Sequence, residues 1–171
     1  MSSRQTLSVA AAAALLAAGA ARSDTKSASF DVTATVAKTC TIAATSISLG
    51  TYDPLATAAL SPSTGKVSVR CTKNTPYSIA LDDGANFSVT RRMLRTGTTQ
   101  TTDTTTTTEY LGYKLYSDAQ LQMEWNNASP VTGKTTTSLT STDLTVYAQI
   151  PPTQDVPEGT YKDTVNATIN F

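Results

Sequence analysis

The chain has 171 residues, of which 13 are basic and 13 acidic, so its formal net charge is zero. An even balance of charge without a basic stretch argues against nucleic acid as a partner. The sequence has no histidine and two cysteines, so the usual Ser–His and Cys–His pairs of nucleophilic catalysis are absent and a zinc site has almost no ligands. We therefore expect no enzymatic activity, no metal and no cofactor.

The first 21 residues have the three-part pattern of a secretory signal peptide. Arg4 provides the positive start, an alanine- and leucine-rich stretch from 7 to 18 follows, and small residues come next. The apolar stretch is too short to span a bilayer, which takes about 20 residues. Cleavage after Ala20 or Ala21 would leave about 150 residues, the size of one domain. An uncleaved anchor or a disordered alanine-rich start are the alternatives.

Beyond the signal peptide, apolar and polar residues alternate in one segment after another, as they do in half-buried strands. The first such segment is 27–36, in which Phe30, Val32, Ala34 and Val36 share one face. The later ones are 67–71, 77–81, 111–115, 144–150 and 165–171. Turn residues separate them, including Asp82-Asp83-Gly84 and Pro151-Pro152. Short strands between such turns predict an all-β sandwich or barrel.

The predicted export also bears on the two cysteines, Cys40 and Cys71. An exported chain meets an oxidising compartment, so a disulfide between them is expected. The alternative is two free, buried thiols.

The segment 96–108 is almost entirely threonine and has no apolar face. Threonine favours strands, but without an apolar face the register of a strand is poorly fixed. We interpret the segment as an exposed, mobile hairpin or loop. A glycan acceptor or a receptor-binding tip is the functional alternative.

The last and the first alternating segments suit each other. Val165, Ala167, Ile169 and Phe171 form the inward face of a final strand, and no residue of this sequence follows to cover its outer edge. Segment 27–36 is a strand too many at the start. If the two met within one chain, the product would be an ordinary monomer, whereas pairing between chains would build an open head-to-tail filament. Alternation by itself leaves both possibilities open.

A series of motifs resembles the spore coat protein U-like pilins of archaic chaperone–usher pili, in both order and spacing. The matching stretches are 30–36 with Cys40-Thr41-Ile42, 49–53, 71–72 with 76–84, 92–94, 113–118, 150–154, 159–165 and the final Asn170-Phe171. The chain departs from the family pattern at Asn74 and Ala148, where glycine is expected, and in the length of its threonine-rich segment.

The resemblance implies an incomplete immunoglobulin-like Greek-key sandwich that lacks its last strand. Residues 1–21 would be the signal peptide, 22–37 an N-terminal donor-strand extension, and 38–171 the pilin domain. Phe30, Val32, Ala34 and Val36 would enter the groove of a neighbouring subunit. The acceptor groove would have Val165, Ala167, Ile169 and Phe171 along one wall.

The resemblance also implies partners and a location. A periplasmic chaperone would hold the groove, an outer-membrane usher would exchange it for the next subunit, and a surface fibre for attachment and biofilm formation would result. A tip adhesin needs no donor strand and usually a second domain, so a rod or adaptor subunit is favoured over a tip. A component of a spore or outer coat is the remaining alternative.

Overall fold

The computed structural model describes residues 23–97, 109–135 and 139–171. The predicted signal peptide, 1–21, and residues 98–108 of the threonine-rich segment lie outside these ranges. Within the described part, Val36–Phe171 form one compact unit, and residues 23–35 belong to a second unit that is considered by itself. No helix among the described residues is both long and apolar enough to cross a membrane.

Ten strands run through the described residues. In chain order they are β1 Cys40–Ala44, β2 Ser63–Cys71, β3 Pro76–Leu81, β4 Arg92–Arg95, β5 Tyr110–Gly112, β6 Lys114–Tyr116, β7 Val131–Thr135, β8 Thr142–Gln149, β9 Tyr161–Lys162 and β10 Ala167–Asn170. The all-β class predicted from the alternating pattern is confirmed.

The strands form three antiparallel sheets with the orders β1-β2-β8-β6, β10-β3-β7 and β5-β4-β9. Most neighbours are far apart in sequence: β2 pairs with β8 along seven residue pairs, from Ser63↔Ala148 to Val69↔Thr142. Such crossings between distant strands are typical of Greek-key sandwiches. They place β1 and β10, the strands at the two extremes of the unit, at the edges of their sheets.

The core lies where the inward faces of the alternating segments meet. Its most buried side chains include Val69 and Ile79, with no exposed surface, and Trp125, Ala148 and Ile150, each 1% exposed. The Trp125 indole donates a hydrogen bond of 2.9 Å to the carbonyl of Ile79. A buried indole N–H needs such a partner. Fully burying one aliphatic side chain of this kind contributes about 1.5–3 kcal/mol.

The prediction of one strand over 111–115 is wrong. The structure has two short strands, β5 and β6, which pair with β4 and with β8 in different sheets. The chain changes sheet at Tyr113, whose N–H donates to the carbonyl of Arg91 at 3.1 Å. Leu111, Tyr113 and Leu115 are nevertheless all buried. Alternation therefore identified the inward side chains correctly, but it carries no information about which backbone each residue pairs with.

Asn74 occupies a turn in place of the expected glycine. It has a φ of 60° between β2 and β3, a left-handed conformation that asparagine tolerates.

Gln154 joins three segments: its backbone N–H donates to the Tyr52 hydroxyl at 2.8 Å, and its side chain bonds the N–H and carbonyl of Gly112 at 2.7 and 3.0 Å. The stretch 150–154 is thus tied to β5.

The expected disulfide joins Cys40 and Cys71. These residues lie directly opposite each other in the register of β1 and β2, and β1 begins at one while β2 ends at the other. The bond closes a loop with a sequence separation of 31.

Replacing both Cys40 and Cys71 by serine should lower the free energy of unfolding by about 3–4 kcal/mol, because a loop of this length then regains its full entropy in the unfolded chain. Urea unfolding of the exported chain, oxidised and reduced, measures the difference. Reduction should have no effect on the double serine variant. Equal stability of the oxidised and reduced parent chains would contradict the prediction.

Candidate strand-binding groove

Both β1 and β10 are edge strands, and each has a neighbour on one side in the described part of the chain. β1 pairs with β2, and β10 pairs with β3 from Ala167↔Leu81 to Asn170↔Ser78. An edge strand presents a row of backbone N–H and C=O groups to whatever lies beside it. These two edges are therefore candidate sites for pairing with a further strand.

The segment 165–170 alternates as the sequence predicted. Val165, Ala167 and Ile169 are half-buried and pack against the core, whereas residues 166, 168 and 170 are exposed. Phe171, the fourth residue expected to face inward, is 54% exposed. Three of the four predicted wall residues thus pack against the core, and Phe171 is largely exposed.

The same residues direct their backbone to the open edge. Asn166 accepts a hydrogen bond of 2.9 Å from the N–H of Asp82, so it is bonded toward the β3 side. In an antiparallel pair, residues alternate between bonding the neighbour and pointing their groups away from it. Val165, Ala167 and Ile169 lie between the bonded positions, so their N–H and C=O groups point outward.

The edge of β1 follows the same rule. Thr39 accepts from Thr72 at 2.9 Å, and the N–H of Thr45 donates to Lys66 at 3.0 Å, so the odd residues bond β2. By alternation, Cys40, Ile42 and Ala44 direct their backbone groups away from it. Each edge therefore offers alternate backbone groups on residues whose side chains belong to the core side.

A cavity of about 430 Å³ lies beside the end of β1 and the start of β10. One side is formed by Ala44, Thr45, Ser46, Ile47 and Leu49, which end or follow β1, and the other by Tyr161, Lys162, Asp163, Thr164, Val165 and Ala167, which lead into β10. Lys66, Met93 and buried core residues complete the lining: Val67, Leu81, Tyr113, Leu115, Val146 and Ala148.

Protein interiors are packed as densely as organic crystals, so an open cavity of this size and apolar lining is unusual within a sandwich. Its lining includes Ala44, Val165 and Ala167, whose backbone groups point away from β2 and β3. An additional extended segment could pair with an edge here and place alternate apolar side chains on the core. We call this cavity with its two edges the acceptor groove.

Two carboxylates lie at the end of the groove where β10 begins. Asp163 accepts a hydrogen bond of 2.7 Å from the Tyr113 hydroxyl. Burial, together with this carboxylate, raises the pKa of Tyr113, which keeps the hydroxyl protonated and donating. Asp82 accepts from the side chain of Asn166 at 2.7 Å and from the N–H of Gly84 at 3.0 Å.

The predicted donor residues lie in the leading segment. Residues 23–39 contain no strand and all their side chains are exposed. Phe30, Val32 and Val36 are each 85% exposed, and Ala34, the fourth residue of the face, is exposed as well. The alternating face predicted from the sequence is therefore accessible in the single chain.

The sequence pattern missed several parts of the groove. Ile47 and Leu49 line it from a segment outside every strand, in which they alternate with two serines. Tyr113 and Asp163 meet across 50 positions. A signal for some of them was present in the motifs 49–53 and 159–165. Among the described residues, no group of three or more His, Cys, Asp or Glu side chains is placed to hold a metal ion.

Comparison with known proteins gives consistent matches. The sequence matches the family described as the Spore Coat Protein U domain over residues 26–168. It is 35% identical to "Protein U" of Myxococcus xanthus over 178 residues, which covers 95% of this chain and 94% of that protein.

Among solved structures, one similar chain comes from the crystal structure of the CsuC–CsuE chaperone–tip adhesion subunit pre-assembly complex of archaic chaperone-usher Csu pili from Acinetobacter baumannii. The TM-score is 0.57 at 23% identity, and the match covers 80% of this chain and 40% of the other. This likeness concerns the fold, and it confirms the incomplete immunoglobulin-like sandwich.

The Asp82 carboxyl should make the stability of the chain depend on acid pH. Burial acts to raise its pKa, but the hydrogen bonds from Asn166 and Gly84 outweigh it, so the pKa lies below the ordinary value of 3.8. A lowered pKa stabilises the folded state above the unfolded value, and this contribution is lost as pH falls through the folded one. Asp82→Asn should therefore flatten the loss of stability below about pH 4.

Urea unfolding of the parent and the variant at a series of pH values provides the measurement. Glu124→Gln is the matched control, because it removes a carboxylate from a half-exposed pair with Lys114 at 3.7 Å. The control should retain the acid dependence attributed to Asp82. Parallel curves for the parent chain and Asp82→Asn would rule out the assignment.

Proposed function

The chain belongs to the Spore Coat Protein U domain family, and from that premise we propose that it is a structural subunit that polymerises by donor-strand complementation. Residues 27–36 of one subunit fill the acceptor groove of the next. The product is a fibre at the cell surface that serves attachment and biofilm formation.

The observation that carries the proposal is a mismatch within one chain. An apolar cavity of about 430 Å³ lies beside the end of β1 and the start of β10, and an alternating segment with Phe30, Val32 and Val36 each 85% exposed lies outside every strand. Strand addition joins such features: the backbone supplies hydrogen bonds, and alternate side chains enter pockets and set the register. Each feature alone would be a liability for an exported protein.

The energetics favour a stable junction. Burying one valine or phenylalanine contributes about 1.5–3 kcal/mol, so Phe30, Val32, Ala34 and Val36 together contribute about 5–8 kcal/mol. Each backbone hydrogen bond to an edge adds about 0.5–1.5 kcal/mol. Because the donor segment of one subunit enters the groove of another, the contact is heterologous and open, which extends a filament indefinitely.

An unfilled groove requires a partner before assembly. Open edges and exposed apolar surface promote aggregation, so we propose that a periplasmic chaperone covers the groove after export and that an outer-membrane usher exchanges it for the next donor strand. The similar solved structure is described as a chaperone–tip adhesion subunit pre-assembly complex, which supports this class of partner. By this proposal 1–21 are removed as a signal peptide, 22–37 are the donor extension and 38–171 the acceptor domain.

A second candidate is a component of a spore or outer coat. The description of the family and the 35% identity to Protein U of Myxococcus xanthus favour it. The same polymerising unit serves both roles. Electron microscopy of cells and of spores, with and without the gene, separates them: fibres lost from growing cells support the pilus, and a coat altered only in spores supports the alternative.

The donor strand should tolerate a charge on its solvent face but not on the face that enters the groove. Val32→Asp should abolish polymerisation, because it removes about 1.5–3 kcal/mol of apolar burial and would bury an unpaired carboxylate. Thr33→Asp is the matched control, since residue 33 lies on the opposite face of the strand. Electron microscopy and the ladder of oligomers on unheated gels measure the effect.

Both variants should still fold and bind the chaperone, because the change lies outside residues 38–171. Deleting residues 27–36 should give the same result as Val32→Asp. Fibres of normal length from Val32→Asp, or from the deletion, would overturn the assignment of the donor strand.

The groove wall should show the same asymmetry. Ile169→Asp should prevent strand addition, because its half-buried side chain packs on the core beside the open edge, where an unpaired charge is costly. Thr168→Asp, with an exposed side chain in the same strand, should assemble normally. Copurification with chaperone and fibre yield are measured for both. Equal assembly of Ile169→Asp and Thr168→Asp would show that β10 is not a wall of the groove.

A further inference from the structure

The wall of the acceptor groove between β9 and β10 has little backbone pairing. β9 contributes two residue pairs, Leu94↔Lys162 and Arg95↔Tyr161, and β10 begins at Ala167. Residues 163–166 between them belong to no strand, yet 163–165 line the cavity. Side chains and single backbone hydrogen bonds therefore hold this part of the wall in place.

Asp163 is the centre of the first set of contacts. Its Oδ2 accepts from the Tyr113 hydroxyl at 2.7 Å, and its Oδ1 accepts from the backbone N–H and the side-chain amide of Asn86 at 3.2 and 2.9 Å. Tyr113 belongs to the buried core, and Asn86 is 9% exposed. The wall is thus bonded both to the floor of the groove and to the loop after β3.

Asp82 is the centre of the second set of contacts. Its Oδ1 accepts from the N–H of Asn166 at 3.0 Å, and its Oδ2 accepts from the Asn166 amide at 2.7 Å. Arg91, 3% exposed, donates through Nε to the carbonyl of Asp82 at 3.0 Å and through Nη2 to that of Leu81 at 3.3 Å. Buried Arg91 therefore fixes the turn at Asp82, and the Asp82 carboxylate in turn holds Asn166.

Glycine at position 84 makes the close approach possible. Gly84 has a φ of +85°, and a Cβ at this position would lie 2.2 Å from Oδ2 of Asp163. Any larger residue would displace the carboxylate that bonds Tyr113. The turn Asp82-Asp83-Gly84, which the sequence marked only as a turn, thus has a geometric relation to the groove.

An unfilled apolar cavity tends to close, because surrounding groups relax into it and recover part of the lost contacts. The weakly paired segment 163–166 is the part of the wall most able to move inward. Five hydrogen bonds to the two carboxylates oppose that movement. Hydrogen bonds to charged groups are among the strongest in proteins.

We propose that Asp163 with Tyr113 and Asn86, and Asp82 with Asn166, form a clasp that holds the wall of the empty acceptor groove in place until a donor strand enters. These are positioning residues: they shape one end of the groove, whose lining includes Tyr113 and Asp163. The inference rests on the proposed function and deepens it, since it assigns the readiness of the groove to a polar cluster at the edge of its apolar lining.

The test measures capture of a donor strand by a folded groove. A fluorescent peptide with the sequence of residues 25–37 is the probe, and fluorescence anisotropy gives its rate of capture. The full exported chain carries Val32→Asp throughout, so that its own leading segment does not compete. Tyr113→Phe removes one hydroxyl from the clasp and Asp163→Asn removes its charge, while Glu124→Gln is the control.

Both clasp variants should capture the peptide about tenfold more slowly than the parent, a change that corresponds to about 1.4 kcal/mol. The control should capture it at the parent rate. Capture by Tyr113→Phe at the rate of the control overturns the clasp. This variant decides alone if Asp163→Asn fails to fold, because it keeps the ring that packs in the core.

A second measurement excludes a purely structural role. In a tethered form, residues 25–37 are attached after Phe171 through a flexible linker, so the groove is filled from the start. If the clasp acts as proposed, a clasp variant loses more in capture rate, expressed as a free energy, than in the free energy of unfolding of the tethered form. Equal losses in both overturn it. If the parent chain itself captures no peptide, the proposed function is wrong, and the clasp falls with it; capture by the parent and by all variants alike rejects the clasp alone.

Discussion

Two strand edges, each paired on one side among the described residues, are the constraint on which the rest of this structure depends. β1 and β10 each bond a neighbour on one side, and the end of β1 and the start of β10 line the same apolar cavity. A buried backbone N–H or C=O without a partner costs about as much as a lost hydrogen bond. A further extended segment would give the groups along these edges hydrogen-bond partners, which is the basis of the function proposed above.

Three sets of contacts fix the strands and loops of this unit. The Cys40–Cys71 disulfide holds the start of β1 against the end of β2. Gln154 joins Gly112 to Tyr52 near the loops that precede β2 and follow β8. The two carboxylates hold the approach to β10. The frame is thus secured by covalent and polar contacts, which act without the dense apolar packing that the cavity lacks. A rigid frame lowers the entropy cost of binding, since less must be ordered when a strand enters.

How much of this the sequence could predict differs from one element to another. Alternation at 77–81 and 144–150 predicted β3 and β8, because one face of each contacts the core. The same reasoning failed at Tyr113, where the chain changes sheet while the alternation of buried side chains continues. The groove residues Ile47 and Leu49 alternate with two serines outside every strand, so their inward side was detectable, but alternation could not place them at the groove. The contacts of Asp82 and Asp163 depend on a tertiary approach across Gly84, which no local pattern encodes.

The disulfide also has a mechanical meaning in a fibre assembled as proposed. Tension between subunits would pass from a captured donor strand through residues 37–39 to Cys40, the first residue of β1. From there the sulfur bridge leads directly to Cys71, at the end of β2, which pairs with both β1 and β8. Force would reach the middle of a four-stranded sheet through covalent bonds, and the hydrogen bonds of β1 beyond Cys40 would be bypassed. β1 would then stay paired with β2 under a pull that would otherwise peel it from the sheet.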